Sequence, residues 1–119
     1  MNTTYVSNEA KTELSGLEIR IVSDTKAKYK NIQIQNSVFD HSYIDNLELD
    51  NMKFNNTSMQ QATFRTRNIE NTQFTSVNLT SSILENMIFK NVTFIDTDFS
   101  KTQLSEIMFL KCTFYNCNF

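Results

Sequence analysis

Large apolar side chains return at every fifth position over most of this chain. Steps of five from Ile34 meet Phe39, Ile44, Leu49, Phe54, Met59, Phe64, Ile69, Phe74, Leu79, Leu84, Phe89, Phe94, Phe99, Leu104, Phe109, Phe114 and Phe119. Only 39% of the residues are hydrophobic, so an unbroken series of this length is not a by-product of composition. Two positions before each lies a second column of mostly small or apolar residues, among them Ile32, Ser37, Leu47, Thr72, Val92, Cys112 and Cys117. Two positions after each comes a third column in which asparagine dominates, as at Asn36, Asn46, Asn51, Asn56, Asn71, Asn86 and Asn91.

A period of five is neither the 3.6 of a helix nor the 2 of a plain strand. It fits a short extended segment with two inward side chains, followed by a corner. Asparagine suits such a corner because its short amide tolerates left-handed backbone angles and bonds locally to the main chain. Four segments close a square coil of about twenty residues, and coils stacked at about 4.8 Å pair as ordinary strands do. The predicted fold is therefore all-β, a right-handed, four-sided β-helix or β-solenoid. Advancing by twenty stacks Ile34, Phe54, Phe74, Phe94 and Phe114 in one column and Phe39, Met59, Leu79, Phe99 and Phe119 in another. Each buried side chain contributes roughly 1.5–3 kcal/mol, set against about 1–2 kcal/mol of backbone entropy per residue. One large residue in five does not cover that cost, so the second inward column and the coil-to-coil hydrogen bonds are required.

These columns resemble the pentapeptide-repeat family, whose usual motif is A(D/N)LXX, over roughly three quarters of the chain. The large centre and the small residue two before it fit. The Asp or Asn expected just before the centre is kept at Asn68, Asn78, Asp98 and Asn118. The resemblance implies a quadrilateral β-helix; it does not fix an activity.

The register extends faintly upstream through Ala27 and Tyr29, then Leu17 and Ile19, while Asp24 interrupts it. Residues 1–13 are expected to form a polar, flexible tail, 14–33 an irregular first coil, and 34–119 the regular solenoid. Arg67 is a misfit, falling at an inward position between Leu47 and Met87. A charge there must be paired or escape, so a local distortion that frees its guanidinium is expected.

One Gly and no Pro leave the corners to other residues, and a net charge of −2 with both signs scattered gives no case for wrapping nucleic acid. No apolar run is long enough for a membrane-spanning helix, and residues 1–20 lack the order of a Sec signal peptide. The expected setting is a bacterial cytoplasm, or delivery into a host cell without such a signal.

Candidate chemistry is sparse. His41, the single histidine, falls at a corner and leaves no base for nucleophilic catalysis. Cys112 and Cys117 are spaced by the repeat itself and read as inward filler rather than metal ligands. Asp40, Asp45 and Asp50 take the same outward position on successive faces and so diverge. No enzyme activity, cofactor or metal site is expected. Asp45, Arg65 and Glu85 align as a charge ladder.

What remains is surface. Outward positions turn apolar toward the C-terminus at Ile88, Met108, Leu110, Ile95 and Tyr115, a candidate surface for a protein partner. The series stops on inward Phe119, so Phe119 and Phe99 are candidate end-to-end contacts in a homodimer, unless the stack continues into further chain or a downstream domain. The favoured function is a non-catalytic bacterial interaction scaffold, loosely resembling β-helical segments of secreted effectors. The alternatives are a DNA mimic binding gyrase or topoisomerase, as in quinolone-resistance members of the family, and a purely structural solenoid.

Overall fold

The computed structural model describes the backbone of residues 12–15 and 21–119, and side chains from Lys28 onward. Residues 1–11 and 16–20, including Leu17 and Ile19, lie outside the described residues.

The described chain is all strand and turn, wound into about four stacked turns of a right-handed, four-sided β-helix. That is the sense parallel crossover connections nearly always take. On the first face lie β1 (Thr12–Ser15), β3 (Ile32–Gln35), β5 (Lys53–Asn55), β8 (Gln73–Thr75), β10 (Thr93–Ile95) and β12 (Thr113–Tyr115), paired in that order. The second face is held by the bridges Val38–Ser58, Ser58–Asn78, Asn78–Asp98 and Asp98–Asn118. The third and fourth faces are crossed together by β2 (Ile21–Lys30), β4 (Tyr43–Asp50), β9 (Ile83–Lys90) and β11 (Gln103–Leu110). In the third coil the equivalent path is split into β6 (Thr63–Arg65) and β7 (Asn68–Glu70). Every pairing is parallel, and from residue 32 the register is twenty.

Corners explain why so few glycines suffice. Among the described residues, seventeen non-glycine positions have positive φ, all in one five-residue series from Asn31 to Asn116. Left-handed angles are costly for most residues and least so for Asn and Asp. The amides also bond from coil to coil: Asn51 donates to Asn31 (2.7 Å), Asn56 to Asn36 (2.8 Å) and Asn91 to Asn71 (2.8 Å). Corners leaving the second face are tighter, with Ser42, Ser82 and Thr102 amides donating to the Phe39, Leu79 and Phe99 carbonyls. Positive φ at the third residue of each (His41, Ser81, Lys101) is the type II pattern. Residues just before the centres pin two of these turns: Asn78 Oδ1 accepts from the Thr80 amide, and Asp98 Oδ1 from the Ser100 amide, both at 2.9 Å.

The axis is filled as the five-residue series predicts. Phe54, Phe74 and Phe94 stack 4.9 and 5.0 Å apart at interplanar angles of 5° and 10°, and Phe114 continues the column at 4.9 Å. Ring spacing thus matches strand spacing, so one geometry serves both interactions. Phe94 also meets Phe89 and Phe99 edge-on at 5.6 and 5.1 Å, joining adjacent walls.

One corner departs from the rule. Thr66 does not take positive φ; it turns inward and is buried to 1%, while Arg67 is exposed. The regular path would put a β-branched residue in the left-handed region, at about 1–2 kcal/mol. It would also bury an unpaired guanidinium, at several kcal/mol. The observed path leaves the Thr66 hydroxyl buried without a partner, at about 1–3 kcal/mol, and is the cheaper. The distortion expected at Arg67 is present, and its agent is the corner threonine.

The first coil is irregular in register. Thr12 pairs with Ile32, twenty residues on, but Val22 pairs with Ile44, twenty-two on, and Ala27 returns to Leu47, twenty on. The shift falls between Ser23 and Ala27, around Asp24. The expected boundary between residues 13 and 14 falls inside β1, whose pairing begins at Thr12.

Three outcomes follow from this geometry. Asn91→Val places a β-branched residue at φ 55° and removes the bond to Asn71; urea unfolding should show a loss of about 1–3 kcal/mol. Phe94→Ala, at the centre of the ring contacts, should cost about 3–5 kcal/mol in the same measurement. Bonds from the Ser100 hydroxyl and then its amide hold the Asp98 carboxyl below its ordinary pKa. A depressed folded pKa contributes stability that is present above the ordinary value and lost as pH falls through the folded one. The stability difference between wild type and Asp98→Asn should therefore shrink on acidification, as read by thermal melts across pH.

Candidate interaction surface

A coil offers the solvent two side chains per face and one per corner, so the outer surface is a set of straight columns. On the fourth face one column runs Lys28, Glu48, Asn68, Ile88 and Met108; the other runs Lys30, Asp50, Glu70, Lys90 and Leu110. Both begin charged and end apolar. Ile88 is 40% exposed, Met108 52% and Leu110 42%. Ile88 and Met108 are register partners in adjacent coils. Ile95 and Tyr115 are also register partners, but on the first face, across the corner at Asn91 and Lys111. Tyr115 is 68% exposed and Ile95 half-buried. The five candidates thus occupy three columns on the two faces that flank one edge, with the Thr93–Thr113 column between that edge and Ile95, rather than a single flat patch.

Their exposure differs in kind from that of the last coil's inward residues. Leu104, Phe114 and Phe119 point along the axis and are 49%, 36% and 73% exposed. Phe119 stacks on Phe99 at 5.0 Å and 4°, so Phe99 is covered and only 5% exposed. Of the two candidate end contacts, Phe119 is at the surface and Phe99 lies beneath it. Outward residues, by contrast, stay exposed whatever lies above or below their coil.

The third face carries the charge ladder. Arg65 Nε lies 3.5 Å from Glu85 Oε2, and Arg65 Nη1 donates to the Tyr43 hydroxyl at 3.2 Å. The tyrosine bond first, then the carboxylate charge, raises the guanidinium's pKa above its ordinary value. On the fourth face Lys28 lies 4.0 Å from Asp50. In both pairs the cation is exposed and the carboxylate half-buried, and contacts so open to solvent contribute little. Negative side chains are interleaved with positive ones on these two faces rather than gathered into a row.

The second face is polar and carries a shallow open groove between Asn36, Val38, Asn56, Ser58, Gln60 and Asn78. Val38 (40% exposed) and Tyr43 (38%) are further outward apolar residues that the C-terminal focus of the sequence reading passed over. Their signal was available in the same outward columns. His41 is an exposed corner whose amide donates to the Gln60 carbonyl at 2.9 Å. Cys112 and Cys117 are free thiols that reach the Phe89 and Phe94 carbonyls, each at 3.3 Å. They sit in the inward column as small, weakly donating residues. Among the described residues, no group of three or more His, Cys, Asp or Glu side chains converges in a way that could hold a metal ion. No helix there is long and apolar enough to cross a membrane.

Comparison with known proteins agrees with the repeat. Residues 72–109 match the family model of pentapeptide repeats in 8 copies. No curated protein matches the chain in sequence. Among solved structures, QnrB1, a plasmid-mediated fluoroquinolone resistance protein, aligns with TM-score 0.46 and 15% identity over 82% of this chain. The chain spans 53% of QnrB1, about half its length. A pentapeptide repeat protein, Rfr23, from the cyanobacterium Cyanothece 51142 aligns with TM-score 0.42 and 15% identity, covering 94% of this chain and 87% of that one. The five-residue corner series from Asn31 to Asn116 and the stacked centres run through the residues that match this family model, so the chain carries pentapeptide repeats over residues 72–109, within a solenoid of the same period.

Proposed function

We propose that this solenoid is a non-catalytic scaffold of a bacterial protein that binds a protein partner through the edge bearing Ile88, Met108, Leu110, Ile95 and Tyr115. The observation that carries this reading is the change along the fourth face from Lys28, Glu48 and Asp50 to Ile88, Met108 and Leu110. The β-helix does not need that change, because outward side chains do not pack in its core. Apolar residues clustered at one place on an otherwise polar rod are the usual mark of a contact surface. Backbone groups along these faces are already paired from coil to coil, so recognition would rest on side chains rather than on strand addition.

The reading as a DNA mimic has less support. It calls for a continuous anionic face, and here Arg65 stands beside Glu85 and Lys28 beside Asp50.

A photoreactive side chain at Leu110, introduced into the chain in cells, tests the docking reading. One discrete cross-linked protein adduct is expected, and Ile88→Glu with Met108→Glu should abolish it while leaving the thermal midpoint within a few degrees. Persistence of the same adduct in the double variant, or absence of any adduct, would count against this surface. In a gyrase supercoiling assay the purified chain should show no inhibition; dose-dependent inhibition would favour the mimic.

A further inference from the structure

Residues 65–68 connect two regular stretches by the same number of bonds whichever of residues 66 and 67 turns inward. In the neighbouring coils the corner residues Asn46 and Asn86 take φ of 57° and 54°, and the next residues, Leu47 and Met87, are each buried to 1%. In the third coil the roles are exchanged: Thr66 is inward and Arg67 outward. Main-chain bonding absorbs the exchange locally. The Arg67 amide donates to the Leu47 carbonyl at 2.9 Å, and the Arg67 carbonyl accepts from the Ile88 amide at 3.0 Å. By Asn68 the register is again regular, with Asn68 opposite Ile88 and Ile69 opposite Phe89. The inward Thr66 hydroxyl has no partner. At the same level of the stack an apolar void of about 10 Å³ is lined by Phe64, Ile69, Met87 and Phe89 among others. The neighbouring coils, with Leu47 and Met87 at the inward position, show what the third coil lacks.

We infer that Thr66 and Arg67 form a two-path register switch within the solenoid. Threonine resists the left-handed corner and the guanidinium resists burial, and both bias the coil toward the exchanged path. On that path the Arg67 side chain is displayed to solvent; on the regular path it would not be. The inference does not depend on what the surface binds.

It makes the effect of one substitution change sign with its background. In wild type, Thr66→Asn leaves two poor choices, a buried amide on one path or a buried arginine on the other. In the Arg67→Leu background the same substitution supplies a good corner followed by a good inward residue. Urea unfolding of the wild type, both single variants and the double variant of the full chain would measure this. Thr66→Asn should raise the unfolding equilibrium constant about tenfold in wild type and lower it about tenfold in the Arg67→Leu background. In the double variant, residue 66 should also give the strong intraresidue amide-to-Hα NMR contact of a positive φ. Should Thr66→Asn fail to fold alone, the comparison of Arg67→Leu with the double variant still decides. Destabilisation by Thr66→Asn in the Arg67→Leu background, or a negative φ at residue 66 in the double variant, would overturn the switch.

Discussion

Everything in this fold depends on bending the main chain into the left-handed region once every five residues, almost without glycine. Asn meets that demand because its side chain is short, unbranched and able to bond in register with the same residue in the next coil. The ladders Asn31–Asn51, Asn36–Asn56 and Asn71–Asn91 turn a local conformational cost into a coil-to-coil contact. Corner and stack are therefore one device. A corner that took a different angle would displace the next inward residue as well as its own, and that is what happens at Thr66.

The second dependence follows from the first. Identical corners place each segment directly above its counterpart twenty residues earlier, and parallel pairing fixes the rise. Phenylalanine rings set on that rise fall 4.9–5.0 Å apart, within the range of favourable offset stacking. A β-branched or flexible residue at the same place would fill volume without continuing the ring column. Edge-on contacts of Phe94 with Phe89 and Phe99 then tie columns from adjacent faces into one core. Cohesion runs along the axis through the stacks and across it through these edges. The small inward column of Ser, Thr, Val and Cys leaves room for the large one.

Much of this was legible in the order of residues because the two demands, an apolar centre and a permissive corner, recur at fixed positions and are met by recognisable side chains. The same reasoning located trouble at Arg67 and at Asp24. It did not say how either would be resolved. At Arg67 the answer lay with its neighbour: Thr66 looks like an ordinary polar corner until its branched β-carbon is set against a φ near 55°. At Asp24 the resolution is a two-residue exchange of length between the stretch before Val22 and the stretch after Ser23. No local preference marks such an exchange, since both stretches pair acceptably with β4. Phe99 shows a different limit. Membership of the inward column was plain, but whether a residue in that column is covered depends on its neighbour twenty positions on, here Phe119.

The surface is where the repeat stops dictating. Inward columns and corners are spent on holding the coils together, which leaves two outward positions per segment free to vary without cost to the fold. Along the third face those positions hold opposite charges that largely satisfy one another. Along the fourth they pass from charged to apolar within a few coils. A solenoid gains no stability from Ile88, Met108 or Tyr115 comparable to what Phe94 supplies, because none of them enters its core. Their presence on freely variable positions, aligned by the same register that stacks the rings, is what makes a partner the economical explanation. On the proposed docking reading the rod's regularity would serve recognition directly: it holds the side chains of successive coils one strand spacing apart, on faces whose strands are paired from coil to coil.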